Sequence, residues 1–147
     1  MTMSNQFEQF LEKEGALVYR TQGRSMRPML HENRDLVVLI PLKGTPSKYD
    51  VVLYRRGEQY VLHRVIAPGE KYCLIRGDST YNLEKVSNDN IFAVLESFVR
   101  NGRSFSADSL LYRLYVRIRC GTFPFRSIIH KLRRRAAAAA RRAGLKK

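Results

Sequence analysis

The chain has 147 residues, of which 27 are Lys or Arg and 13 are Asp or Glu, so its formal net charge is +14. This length predicts one domain with an appendage, and the hydrophobic content of 44% excludes wholesale disorder. Two cysteines are too few for a disulfide scaffold or a Cys-rich zinc site. No apolar run reaches the roughly 18 residues of a transmembrane helix.

The first hundred residues predict a mainly β domain. Phe7, Phe10 and Leu11 fall at helical spacing, which predicts a short N-terminal helix over 5–15 with Ser4 as its N-cap. Gly, Pro and Asn-Gly turns then separate short apolar runs, and this spacing is typical of a sheet of short strands. The predicted strands are 16–21, 35–41, 50–55, 59–66, 72–76 and 91–100.

The charge is concentrated at the C-terminal end. Residues 1–99 carry 13 basic and 12 acidic side chains, whereas residues 100–147 carry 14 basic side chains and one acid, Asp108. Helices are predicted from 107 to 120, with Ser106 as N-cap, and from 125 to 144, with Gly121 and Pro124 between them. The sequence therefore predicts a β domain over 1–105 and a basic amphipathic helical tail over 106–147.

The tail interleaves arginines with aliphatic and aromatic residues, which is typical of a helix that lies in the interface of an anionic membrane. The arginines predicted to contact the membrane or another polyanion are Arg113, Arg117, Arg133, Arg134 and Arg135. Packing against the β domain and nucleic-acid binding are the alternatives. Residues 1–15 lack the features of a secretory signal, so we expect a peripheral membrane protein on the cytoplasmic side, without signal peptide or transmembrane helix.

One loop and two later segments suggest nucleophilic catalysis. Gly23 and Pro28 bracket Ser25 in a turn that can hold a hydroxyl out of the core. A serine attacks a carbonyl only when a base takes its proton, and the best base in the sequence is His63 on the predicted strand 59–66. Asp78 ends a later strand and is a candidate to orient the imidazole, although a turn aspartate that binds backbone amides is an equal alternative.

In this order the segments resemble the type I signal peptidase and SOS-repressor superfamily of serine peptidases. The family's Ser-Met-x-Pro-x-Leu box appears at 25–30, and its Gly-Asp-Val-Val strand at 49–52 with Tyr49 in place of glycine. The general-base box at 63–65 has His63 where many members have lysine, as in the Ser–His branch, and the Gly-Asp box lies at 77–78. The resemblance covers residues 20–99 and is closest to small members without a membrane anchor and with a basic tail.

The resemblance implies a β catalytic core of short, strongly bent strands, with Ser25 as nucleophile and His63 as general base. Asp78, or alternatively Glu84, would orient the base. Gly23 stands where the family often has an oxyanion-hole hydroxyl. The donors would then be backbone N–H groups of the oxyanion and substrate loop, which includes Gly23, Met26 and Pro28, and the N–H of Ser25 would be among them.

We therefore expect a serine endopeptidase that cleaves a peptide or precursor protein, after small residues, at or near a membrane surface. A non-catalytic peptide-binding module of the same fold is one alternative, and a basic adaptor that binds nucleic acid is another. The three histidines form no His-x-x-x-His pair, so neither a metal site nor a cofactor is predicted.

Overall fold

The computed structural model describes residues 6–144. A short helix, α1 (Gln6–Glu14), precedes eight strands, and two helices follow them. The strands are β1 (Leu17–Arg20), β2 (Leu36–Pro41), β3 (Val51–Arg56), β4 (Gln59–Ala67), β5 (Tyr72–Arg76), β6 (Glu84–Ser87), β7 (Ile91–Arg100) and β8 (Arg103–Ser106). The final helices are α2 (Leu110–Gly121) and α3 (Phe123–Arg142). The predicted N-cap, Ser4, lies outside the described residues.

All eight strands belong to one antiparallel sheet, which confirms the mainly β prediction. The strand order is β1-β2-β7-β3-β4-β5-β6, and β8 also pairs with β7. The ten-residue β7 pairs with β2 along one edge, while its other edge pairs first with β3 and then with β8. The central strand β3 is buried over its first four residues, as its run of apolar side chains predicts.

The six predicted strands correspond to β1–β5 and β7, whereas β6 and β8 were not predicted. Strand β6 has a single apolar residue, Val86, and β8 is exposed along its whole length. Neither segment therefore shows the alternation of buried and exposed side chains that identifies a strand in a sequence.

The core that supports the site lies among strands β3 to β7. It contains Val52, Tyr54, Val65, Cys73, Ile75, Val86 and Ile91, all between 0% and 7% exposed. Strands β3 and β4 pair with His63 opposite Val52 and Val61 opposite Tyr54. The core therefore fixes the backbone on both sides of the predicted general base.

The chain divides into two compact units, Met1–Arg113 and Leu114–Lys147, while the boundary predicted from sequence falls after residue 105. Helix α2 begins at Leu110 and is capped by Ser109, whose Oγ accepts from the Tyr112 N–H at 3.3 Å. Ser106, the predicted cap, instead accepts from the Asp108 N–H at 3.1 Å in the preceding turn. None of the helices within residues 6–144 is long and apolar enough to span a membrane.

Candidate active site

Ser25 lies in the loop that joins β1 to β2, and buried neighbours hold this loop in place. The side chains of Met26 and Leu30 are 5% and 1% exposed, and the Leu30 N–H donates to the Met26 carbonyl oxygen at 3.0 Å. Gly23 has φ +77°, a left-handed backbone conformation that favours glycine. A side chain that could supply an oxyanion-hole hydroxyl at this position would therefore strain the loop.

The turn at 77–79 is tied to the serine loop by two hydrogen bonds. The Ser79 N–H donates to the Ser25 carbonyl oxygen at 2.8 Å, and the Ser79 hydroxyl donates to the Arg24 carbonyl oxygen at 2.7 Å. Gly77 lies where the loop and the turn meet. A Cβ atom at this glycine would lie 2.9 Å from Ser25 Cβ and 3.1 Å from His63 Nε2. The Ser25 side chain and the Nε2 edge of His63 therefore border the same small space.

His63 is 4% exposed, and its other ring nitrogen contacts a polar network. Nδ1 lies 3.2 Å from the Tyr54 hydroxyl and 3.3 Å from Glu84 Oε1. The Tyr54 hydroxyl donates to Glu84 Oε2 at 3.0 Å. Arg56 donates both to the Tyr54 hydroxyl, at 3.0 Å, and to Glu84 Oε1, at 2.9 Å.

This network determines which nitrogen of His63 carries the proton. The Tyr54 hydroxyl gives its only proton to Glu84, so it can only accept from His63. Glu84 Oε1 is also an acceptor. Both neighbours of Nδ1 therefore require a proton on Nδ1, and we assign this tautomer. It leaves the lone pair free on Nε2, the nitrogen that lies 3.1 Å from the position a Cβ at Gly77 would take, and a general base requires such a free lone pair.

Burial keeps both rings of the network neutral. It lowers the pKa of His63 below its usual 6.5, although the Glu84 carboxylate opposes this shift. Burial also raises the pKa of Tyr54 to about 12. At neutral pH the imidazole is therefore in its basic form and the phenol keeps the proton that it donates to Glu84.

The pH dependence of Ser25 reactivity should follow this lowered pKa. Only the neutral imidazole can accept the serine proton, so the rate should rise with pH and reach half its maximum below pH 6.5. The measurement is the rate of covalent modification of Ser25 by a serine-reactive phosphonate between pH 4.5 and 8.5. A half-maximum above pH 6.5 would contradict the assigned environment of His63.

Asp78 forms a buried ion pair. Its two carboxylate oxygens accept from Arg64 Nε at 2.7 Å and from Arg64 Nη2 at 2.8 Å, and Arg64 is 0% exposed. Arg64 Nη1 also donates to the Tyr49 carbonyl oxygen at 2.9 Å and to the Tyr112 hydroxyl at 3.1 Å. The acid beside Nδ1 of His63 is thus Glu84, the alternative in the sequence analysis, whereas the carboxylate of Asp78 pairs with Arg64.

Sequence reasoning missed two residues of the site, Tyr54 and Arg56, and the role of a third, Gly77. Tyr54 and Arg56 occupy alternate positions of β3, so their side chains lie on the same face of the sheet, and both donate to Glu84. The spacing is visible in the sequence, but the shared partner is known only once β6, which carries Glu84, is placed beside them. Gly77 was noted as part of a box, but its steric role depends on the approach of two loops, which no local pattern reports.

The five arginines predicted to contact a polyanion are all exposed. Arg113 and Arg117 lie on α2, and Arg133, Arg134 and Arg135 lie on α3. Arg113 is also 3.5 Å from the exposed carboxylate of Asp108.

Comparison of the chain with protein-family models, with curated proteins and with solved structures finds no match.

Proposed function

We propose that the protein is a serine endopeptidase of the signal-peptidase type that uses Ser25, His63 and Glu84. The proposal depends on one observation above all: the two ring nitrogens of His63 have different partners. Nδ1 lies between a carboxylate and a phenol, whereas Nε2 and Ser25 Cβ both lie close to Gly77, 3.1 Å and 2.9 Å from the position that a Cβ would take there. In this proposal Ser25, His63 and Glu84 take the spatial arrangement of nucleophile, base and orienting acid that serine hydrolases share.

In the proposed reaction the Ser25 hydroxyl attacks a peptide carbonyl carbon while its proton passes to His63 Nε2. The imidazolium so formed is stabilised by the Glu84 carboxylate. Nε2 then gives the proton to the departing amine, and the C–N bond breaks. Water, deprotonated by the same nitrogen, hydrolyses the acyl-enzyme and restores the serine.

The oxyanion of the tetrahedral intermediate would be bound by backbone N–H groups of the loop that carries Ser25, including its own. Gly23 supports this choice, since its positive φ leaves no unstrained place for a hydroxyl-bearing side chain. The bonds from Ser79 to the carbonyl oxygens of Arg24 and Ser25 orient the same loop.

A serine-reactive phosphonate tests the proposal, with the modified residue located by mass spectrometry. Labelling is expected on Ser25 of the wild-type protein. It should be absent in Ser25→Ala and reduced by at least about a thousandfold in His63→Ala, because the hydroxyl then has no base. His31→Ala is the matched control: it removes a histidine of the same loop and should label normally. A folded wild-type protein that is never labelled, with or without vesicles, would favour the non-catalytic peptide-binding module.

We also propose that the basic tail binds an anionic membrane surface. On α3, Phe125, Ile128, Ile129 and Leu132 follow helical spacing along one face and are between 49% and 71% exposed. The same helix carries seven basic residues and no acid. An exposed apolar stripe flanked by cations complements a layer of anionic headgroups over acyl chains, whereas a nucleic acid would need only the cations.

Two substitutions of equal charge distinguish these partners. Leu132→Glu places the new acid on the apolar stripe, while Ala138→Glu places it beside Lys131, Arg134 and Arg135. Co-sedimentation with vesicles rich in phosphatidylglycerol should weaken at least about tenfold more in Leu132→Glu than in Ala138→Glu, because only Leu132 inserts. Equal weakening, together with salt-sensitive binding to duplex DNA or RNA, would overturn the membrane proposal in favour of nucleic acid.

A further inference from the structure

Ser25 forms part of the wall of a cavity. This cavity has a volume of about 540 Å³, within the range of about 300–1,000 Å³ typical of ligand pockets. It lies between the serine loop, the N-terminal helix α1 and strand β4. Because Ser25 itself forms part of the lining, a side chain next to the bond under attack would enter this space.

The walls of the cavity combine aromatic and aliphatic side chains with the uncharged polar residues Thr21, Gln22 and Gln59. Phe7 of α1 meets Tyr60 edge-on at 5.0 Å and Tyr19 edge-on at 6.3 Å between ring centroids. Leu53 and Met26 contribute aliphatic and thioether surface. Tyr60 is supported from behind by Phe92, whose ring is 5.2 Å away and again edge-on. These mutual contacts fix the orientation of the rings and leave a preformed apolar surface beside the nucleophile.

Within residues 6–144, the lining contains no side chain that is charged at neutral pH. The twelve lining residues include no Lys, Arg, His, Asp or Glu. Burial raises the pKa of both Tyr19 and Tyr60, so their phenols stay neutral. A charged substrate side chain would lose water here without meeting a charged partner in the described lining, and Arg55 beside Tyr60 is already paired with Glu8, so its entry is disfavoured.

The size of the cavity separates large apolar residues from small ones. A methyl group would leave most of 540 Å³ unfilled, whereas a leucine or phenylalanine side chain would cover the aromatic wall. One methylene in an apolar enzyme pocket changes kcat/KM by about 10–200-fold, so several together discriminate strongly.

We infer that this cavity is the specificity pocket of the site and that it takes a large apolar side chain of the substrate peptide next to the cleaved bond. The inference rests on the proposed peptidase function, but it differs from the preference for small residues implied by the family resemblance. It also assigns a role to α1, because Phe7 supplies one wall.

Binding to the inactive full-length Ser25→Ala protein tests the pocket without requiring catalysis. The probes are acetylated, amidated Gly-X-Gly peptides with X as Ala, Leu, Phe or Asp, followed by NMR titration. Leu and Phe should bind at least tenfold more tightly than Ala, and Asp should not bind. In the Ser25→Ala background, Tyr60→Ala and Phe7→Ala should each reduce this preference. Phe10→Ala, which removes a 48% exposed ring from the same helix, should leave it unchanged.

Digestion of a peptide mixture by the wild-type protein then tests the peptidase function and the specificity pocket separately. Cuts next to Leu, Ile, Phe or Met support the pocket, and cuts next to Ala, Gly or Ser alone overturn it while the peptidase function stands. If Ser25 is never labelled and nothing is cut, the peptidase function fails. The titration still decides the pocket: preference for Leu and Phe supports it, and equal binding of Ala and Leu overturns it.

Discussion

Replacing Gly77 with alanine is expected to abolish covalent labelling of Ser25. The added methyl group would lie 2.6 Å from the Ser25 carbonyl oxygen, 2.9 Å from Ser25 Cβ and 3.1 Å from His63 Nε2. The first two distances are too short for real contacts, and one partner is backbone, so the serine loop must move. Since the methyl group would crowd both Ser25 Cβ and His63 Nε2, we expect the relaxation to move apart the two groups that must exchange a proton.

The expected loss is at least about a thousandfold in labelling rate, because misplacing reacting groups by an ångström alone costs about a hundredfold and proton transfer is lost as well. Gly121→Ala is the matched control, since a Cβ there meets nothing within 4 Å. Near-wild-type labelling of Gly77→Ala would contradict the proposed alignment of Ser25 with His63. Thermal unfolding of both variants shows whether the loss reflects local displacement or global unfolding.

The overall fold was largely predictable because most strands carry a local signature. The apolar runs of β2 and β3, of which only β3 is continuously buried, are visible in the sequence, and so are the Gly or Pro positions between β3, β4 and β5. Strands β6 and β8 lack this signature, since each has four residues of which only one is apolar, Val86 and Phe105 respectively. Helix α2 begins three residues later than predicted because Ser109, rather than Ser106, supplies its cap.

Ser25 and His63 could be singled out from the sequence because the segments that carry them are contiguous and ordered, and in the structure both lie beside Gly77. Tyr49 stands where the family that the sequence resembles has glycine, and the backbone conformation there accounts for that preference. Tyr49 has φ +77°, which explains why glycine suits this position and which costs a tyrosine about 1–2 kcal/mol. The conformation is held because the Tyr49 N–H donates to the Val65 carbonyl oxygen at 2.8 Å and the Tyr49 carbonyl oxygen accepts from Arg64.

The choice between two acids could not be made from spacing. His63 and Arg64 are adjacent in β4, so their side chains point to opposite faces of the sheet. Asp78 pairs with Arg64, and Glu84 reaches His63. Sequence distance from the histidine favours neither, because the outcome depends on how β5 and β6 place the two carboxylates relative to those faces.

Substitution of Asp78 should therefore lower the stability of the fold, whereas substitution of Glu84 should lower the reactivity of Ser25. Asp78→Ala leaves the fully buried guanidinium of Arg64 without its carboxylate partner, and removing one member of a buried ion pair costs about 3–5 kcal/mol. The free energy of unfolding, measured in urea, should fall by that amount. Because Asp78 also sits between Gly77 and Ser79, the serine loop should loosen as the turn is released.

Glu84→Gln should leave the fold nearly intact, because its ion pair with Arg56 is partly exposed and such pairs contribute at most about 1 kcal/mol. Its effect should appear in the chemistry. An amide can present N–H to Nδ1, which would place the ring proton on Nε2 and remove the base. The comparable change in a Ser-His-Asp triad lowers turnover by about 10⁴-fold.

Tyr54→Phe completes the comparison, since it removes the second acceptor of the Nδ1 proton while keeping the carboxylate. It should slow labelling less than Glu84→Gln, because the carboxylate remains to stabilise the imidazolium. If Asp78→Asn slowed labelling by orders of magnitude at unchanged stability and Glu84→Gln did not, the roles of the two acids would be the reverse. The predicted order follows from one geometric fact: a carboxylate aligns the base only where its oxygen meets Nδ1, and Glu84 lies there.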